Sequence, residues 1–138
     1  MTQVALLRGV NVGGKNKLPM SDLAGMFVEA GCKNVRTFIQ SGNVLFEATP
    51  RVTSMLSLRI ADMILERFGY RTPVILRTTA DLRDVIAKNP FLQAGAPEDI
   101  LHVMFLSQTP EPAAMAGLDP NRSPPDAFAI RGRDIYLQ

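Results

Sequence analysis

Val35-Arg36-Thr37-Phe38-Ile39-Gln40-Ser41-Gly42-Asn43-Val44-Leu45-Phe46 is the stretch whose reading decides the fold. Val35, Thr37 and Ile39 alternate with Arg36, Phe38 and Gln40, the period of a strand with one covered face. Ser41-Gly42-Asn43 interrupts with residues that tolerate positive φ, and Val44-Leu45-Phe46 resumes an apolar strand, so the whole reads as a hairpin. Upstream, Leu23, Met26, Phe27 and Ala30 recur at i, i+3, i+4, i+7 between Pro19, Ser21-Asp22 and Gly31, which marks a helix with its stop. Before that helix, Thr2 to Arg8 reads as a strand. Its core, Val4-Ala5-Leu6-Leu7, is apolar at consecutive positions and therefore predicts a central strand covered on both faces. Downstream, Thr49-Pro50 opens a second helix that keeps helical period through Leu56, Ile60, Met63, Ile64 and Phe68 up to Gly69. Thr72 to Thr78 is a fourth strand, and Pro73 suits its start or an edge.

Residues 1–78 thus read β-α-β-β-α-β, an α+β subdomain of the split βαβ, ferredoxin-like kind. Right-handed crossovers predict the antiparallel order 4-1-3-2. That order brings the loop after strand one, the start of helix one, the Ser41-Gly42-Asn43 turn and the Gly69 to Arg71 turn to one end of the sheet. Residues 79–99 form a connecting helix (Leu82, Val85, Ile86), ended by Asn89-Pro90, and a loop. Over 100–138 the order is β-α-β-β: Ile100 to Leu106, a short helix around Ala113 to Ala116 in a proline-rich segment, and a hairpin about Arg131-Gly132-Arg133-Asp134. These are the first elements of a second ferredoxin-like subdomain, expected to be truncated at Gln138 with a sheet edge and an apolar face left uncovered.

A chain of 138 residues fits one domain or two small subdomains. Cys32 is the single cysteine, so neither an internal disulfide nor a cysteine-type zinc site is available; after Gly31 it is expected to be buried. Neither a secretory leader nor an apolar run of about 18 residues occurs, and a soluble, cytoplasmic protein without a membrane partner is expected. The net charge is +2. Residues 1–40 carry Arg8, Lys15, Lys17, Lys33 and Arg36 against Asp22 and Glu29, so the excess positive charge is concentrated near the first loop. This predicts a local anion preference and not the basic field of a protein that coats nucleic acid.

Arg8-Gly9-Val10-Asn11-Val12-Gly13-Gly14-Lys15-Asn16-Lys17 nearly satisfies G-x-x-x-x-G-K-[ST]. Asn16 stands where the magnesium-binding hydroxyl belongs, and Pro19 starts the helix too late, so a nucleotide triphosphatase is not expected. A looser anion site remains: glycine N–H groups, Lys15, Lys17 and the start of helix one suit phosphate, sulfate or carboxylate. The bland alternative is that Gly13-Gly14 merely reverses the chain and the lysines are solvated. Gln40, Ser41 and Asn43 offer hydrogen-bonding groups nearby, although the turn alone also explains Gly42 and Asn43. Arg8, a bidentate donor at a sheet end, completes the candidate ligand-binding set of Arg8, Asn11, Gly13, Gly14, Lys15, Asn16, Lys17, Gln40, Ser41 and Asn43.

No catalytic residue can be named. His102 shares a strand face with Met104 and Leu106 and is expected to be partly buried; the acids are scattered, so no metal and no cofactor are expected. Phe38 and Phe46 are expected in the core, which leaves no exposed aromatic pair and makes nucleic acid the weaker ligand. The expected function is a binding module for an anionic or nucleotide-like ligand. The alternatives are an enzyme acting on a phosphorylated or acyl small molecule, with Lys15 or Arg8 stabilising charge, and a protein-interaction module using the open sheet edge.

The runs Ala5 to Lys17 and Val35 to Val44 resemble the bacterial family known as domain of unknown function 1697. The similarity extends through Pro73-Val74-Ile75-Leu76-Arg77-Thr78, Asn89-Pro90-Phe91 and Gly132-Arg133-Asp134-Ile135-Tyr136-Leu137. It implies two ferredoxin-like subdomains and no established activity. Members of that family usually continue through a basic, hydroxyl-rich stretch and a tryptophan-containing segment, which this tryptophan-free chain lacks.

Overall fold

The computed structural model describes residues 2–40, 42–119 and 121–138. The chain is α+β and divides into two compact units, Met1–Thr79 and Ala80–Gln138, each with an antiparallel sheet.

In the first unit the elements are β1 (Thr2–Leu7), α1 (Met20–Glu29), β2 (Lys33–Phe38), β3 (Asn43–Glu47), α2 (Pro50–Phe68) and β4 (Val74–Thr78). The sheet order is β2-β3-β1-β4, with every neighbouring pair antiparallel. Ala5 lies opposite Val44 on one side and Leu76 on the other, so the central strand is apolar because it has neighbours everywhere. Ala5, Leu7, Val44, Phe46 and Val74 share a core with Leu23, Met26 and Phe27 of α1 and Leu56, Ile60 and Ile64 of α2. Phe27 and Phe46 stack obliquely, with ring centroids 5.4 Å apart. Full burial of each such side chain contributes about 1.5–3 kcal/mol. The helix ends follow local chemistry: Thr49 accepts the Val52 N–H at 3.3 Å ahead of Pro50, and Gly69 closes α2 with φ of 79°. Cys32 is buried, and burial pushes its thiol pKa up, which leaves little nucleophilic thiolate.

β2 departs from the sequence reading at its hairpin end. It stops at Phe38, and Ile39 turns out of the strand with φ of 51°. Along β2 the half-buried positions are Val35 and Thr37, so Phe38 falls with Arg36 on the exposed side and is 63% exposed. The expectation of a core Phe38 is therefore wrong, whereas Phe46 is fully buried. Strand parity overrides hydrophobicity here. Ile39 is itself 62% exposed, so among the described residues little packing offsets the cost of a β-branched residue in the left-handed region. Ile39→Asn is expected to raise stability by about 1 kcal/mol in urea unfolding, because asparagine accepts that conformation more readily. An unchanged or lower midpoint would contradict this.

The second unit contains most of α3 (Thr79–Ala87), then α4 (Pro90–Gln93), a 3-10 turn (Glu98–Ile100), β5 (His102–Phe105), α5 (Pro112–Ala116), β6 (Phe128–Arg131) and β7 (Asp134–Leu137), in sheet order β5-β7-β6. Asn89 does more than end a helix: its Oδ1 accepts the Phe91 N–H at 3.0 Å and the Leu92 N–H at 3.3 Å, starting α4. Ile100 belongs to the 3-10 turn, so β5 begins only at His102. The expected burial of His102 is also corrected. His102 and Met104 occupy the exposed side of β5, while Val103 and Phe105 are half-buried and Val103 lies opposite the buried Tyr136. Among the described residues no helix is long and apolar enough to cross a membrane.

Candidate functional site

Beyond β1 the glycine loop folds into a small finger. Asn11 N–H donates to the Asn16 carbonyl at 3.0 Å, and Lys15 N–H donates to the Val12 carbonyl at 3.0 Å. Gly13 and Gly14 have φ of 59° and 73°, the paired positive values of a type I′ turn. These two glycines thus reverse the chain, and the Lys15 N–H is spent inside the turn. Asn11 clamps the base of the finger: its Nδ2 donates to the Leu18 and Gln40 carbonyls, both at 2.8 Å, and its Oδ1 accepts the Leu18 N–H at 2.7 Å. Asn16 Nδ2 donates to the Gly9 carbonyl at 3.1 Å. The Asn11 amide is committed to the fold, the exposed Asn16 spends one N–H on it, and Lys15 and Lys17 are the charged side chains of the finger that face solvent.

Two further segments lock onto it. Leu7 N–H donates to the Gly42 carbonyl at 2.9 Å, and the space beside Gly42 is closed: a Cβ there would stand 2.8 Å from Leu7 Cβ and from Val10 Cγ2. On the other flank Tyr70 donates its hydroxyl to the Asn16 carbonyl at 3.0 Å. Burial raises the Tyr70 pKa, which keeps that hydroxyl a donor. Buried Thr72 brackets Arg8, donating to its carbonyl at 2.6 Å and accepting its N–H at 3.3 Å. Sequence reasoning missed Tyr70 and Thr72 as joiners; their only signal was a position just before β4, at the sheet end that holds the finger.

Residues 8–18, 38–43 and 69–72 contain Arg8, Lys15, Lys17 and Arg71 and not one Asp, Glu or His. All four cations are exposed, and among the described residues none of them forms an ion pair. Gln40 is exposed beside them, while Asn43 is half-buried at the start of β3, between Leu6 and Phe38. Ser41 lies outside the described residues. Such an assembly can hold an anion by side-chain charge and amide hydrogen bonds. It presents ends of hairpins to solvent. A cavity of about 890 Å³ is found instead in the second unit, lined by Asp99, His102, Asp126, Phe128 and Leu137 among others, and it includes none of the sequence-predicted site residues. Among the described residues no group of three or more His, Cys, Asp or Glu is placed to hold a metal ion.

Comparison with known proteins agrees with this architecture. A family model described as protein of unknown function (DUF1697) matches residues 1–136. The solved structure of the conserved bacterial protein SP0830 from Streptococcus pneumoniae is similar in fold, with a TM-score of 0.76 at 20% sequence identity, covering 99% of this chain and 75% of that one. Among curated proteins none matches the sequence.

Proposed function

The chain belongs to the DUF1697 family, whose description assigns no activity, and we propose from its own geometry that it is a binding module which holds an anionic, phosphate- or carboxylate-bearing ligand at the finger end of the first sheet. The observation that carries this reading is the convergence of Arg8, Lys15, Lys17 and Arg71 on chain segments tied to one another by hydrogen bonds and free of acidic residues. Like charges brought together on an ordered scaffold repel one another, and an anion relieves that repulsion. The ligand contacts are side-chain contacts: Arg8 for a bidentate grip, Lys15 and Lys17 as point charges, and Gln40 for a neutral polar group, with Asn43 held in the hairpin by its bond to the Phe38 carbonyl. Binding is favoured over turnover because these segments supply no carboxylate or histidine to act as a base. The β-α-β-β-α-β order with strands β2-β3-β1-β4 supports a ferredoxin-like reading of the first unit, and the β5-β7-β6 sheet supports a related β-α-β-β reading of the second.

Calorimetric titration with pyrophosphate tests the proposal. The double variant Lys15→Ala/Lys17→Ala is expected to keep its stability within about 0.5 kcal/mol, since both side chains are exposed. It should lose about tenfold or more in affinity, the scale of one charged hydrogen bond. Equal affinities in the two proteins would sink the site, and so would wild-type binding that ignores ionic strength.

A further inference from the structure

The end of the sheet that carries the cations also carries apolar side chains that the chain itself leaves in water. Val12 at the finger tip is 63% exposed, and Phe38 and Ile39 at the hairpin end are 63% and 62% exposed. The two tips are joined at their bases, because the Asn11 side chain donates to the Gln40 carbonyl at 2.8 Å and these residues are the chain neighbours of Val12 and Ile39. Ile39 adds an independent observation. Its φ of 51° is a conformation that glycine or asparagine adopts at little cost, yet the position holds a β-branched residue pointing largely into solvent. Among the described residues little covers the Ile39 side chain to offset that cost, so an external apolar partner is the economical explanation.

The partner must be apolar at the tips and negative around them. Arg8, Lys15, Lys17 and Arg71 lie on the same joined segments, Arg36 is exposed on the same side of β2 as Phe38, and residues 8–18, 38–43 and 69–72 hold no acid. Nucleic acid supplies the charge and can stack a base on the exposed Phe38, but such stacking leaves the aliphatic Val12 and Ile39 uncovered. A protein groove accepts one protruding tip more readily than two. A bilayer with anionic headgroups yields to both and supplies apolar depth beneath negative charge, the two signals that stable peripheral binding requires.

We infer that the finger and the β2–β3 hairpin dock on an anionic membrane surface, with Val12, Phe38 and Ile39 inserted and the cations facing the headgroups. This rests on the anion-binding reading above and names the source of the anion. This contact involves side-chain tips and not a spanning helix, and it departs from the expectation of no membrane partner, which rested on the lack of a long apolar run.

Cosedimentation of the full chain with vesicles tests it. The protein should pellet with vesicles of phosphatidylcholine mixed with phosphatidylglycerol and stay in solution with phosphatidylcholine alone. Ile39→Asn and Phe38→Ser should each lower partitioning by about tenfold, the scale of one lost apolar side chain. Both should retain pyrophosphate affinity, with melting curves confirming that they are folded. Lys15→Ala/Lys17→Ala should lower both kinds of binding. A chain that binds pyrophosphate but ignores the mixed vesicles overturns the membrane inference and leaves the anion site standing, whereas loss of both assays ends both readings. Undiminished vesicle binding by Ile39→Asn and Phe38→Ser also overturns it. Tighter capture by a single-stranded oligonucleotide than by the mixed vesicles reassigns the surface to nucleic acid.

Discussion

Gly42→Ala is expected to destabilise the first unit by about 2–5 kcal/mol, the sum of about 1–2 for a side chain in the left-handed region and about 1–3 for overpacking. Both penalties arise at this one residue. Its φ is 85°, and an added Cβ meets Leu7 Cβ and Val10 Cγ2 at 2.8 Å, closer than carbon atoms pack. Neither neighbour has room to yield, because both are buried and the Gly42 carbonyl is tied to the Leu7 N–H at 2.9 Å. For a unit of this size the melting temperature should fall by at least about 8 °C. Gly14→Ala is the matched control. It has φ of 73° but nothing within 4 Å of the new Cβ, so only the conformational cost applies, about 1–2 kcal/mol. Equal melting temperatures for the two variants would mean that the hairpin is not seated against β1 as described.

Asn11→Ala is the second large effect. The side chain makes hydrogen bonds at 2.7, 2.8 and 2.8 Å and sits at φ of 55°, which alanine disfavours. Truncation leaves the Leu18 amide without its partner at a part-buried position and unties Gln40 from the finger. A loss of about 2–4 kcal/mol in urea unfolding is expected, since each orphaned group costs about 1–3 and the conformation adds to it. Asn16→Ala, which removes one side-chain bond at 3.1 Å, should cost less. Faster hydrogen exchange at the Leu18 amide would locate the damage; a loss below about 1 kcal/mol would show that the clamp is not structural.

Much of the architecture was legible because burial and local geometry point the same way. Leu23, Met26 and Phe27 announce α1, Thr49-Pro50 and Gly69 bracket α2, and the apolar run of β1 announces a strand with neighbours on both sides. The convergence of finger, hairpin and Gly69 to Arg71 turn followed from topology, and the hydrogen bonds from Asn11, Tyr70 and Thr72 now give it atoms. What stayed hidden depends on register and on tertiary partners. Phe38 looked like core because it is aromatic, but its alternation with Arg36 governs its face. Ile39 looked like part of a strand running to Gln40, and only the backbone shows that it begins the turn. His102 looked apolar by company, since Met104 and Leu106 share its face, but both His102 and Met104 are exposed and only Leu106 is half-buried. The structural bonds of Asn11 and Asn16 were not legible either, because a side-chain amide reads identically whether it grips a ligand or a carbonyl of its own chain.

The most direct test of the anion-binding end is an amide NMR titration of the full chain with pyrophosphate. The account predicts saturable, salt-sensitive shifts confined to residues 8–18, 38–43 and 69–72, and their disappearance in Lys15→Ala/Lys17→Ala. Shifts clustered instead around the His102 and Phe128 cavity of the second unit, or no shifts at all, would contradict it.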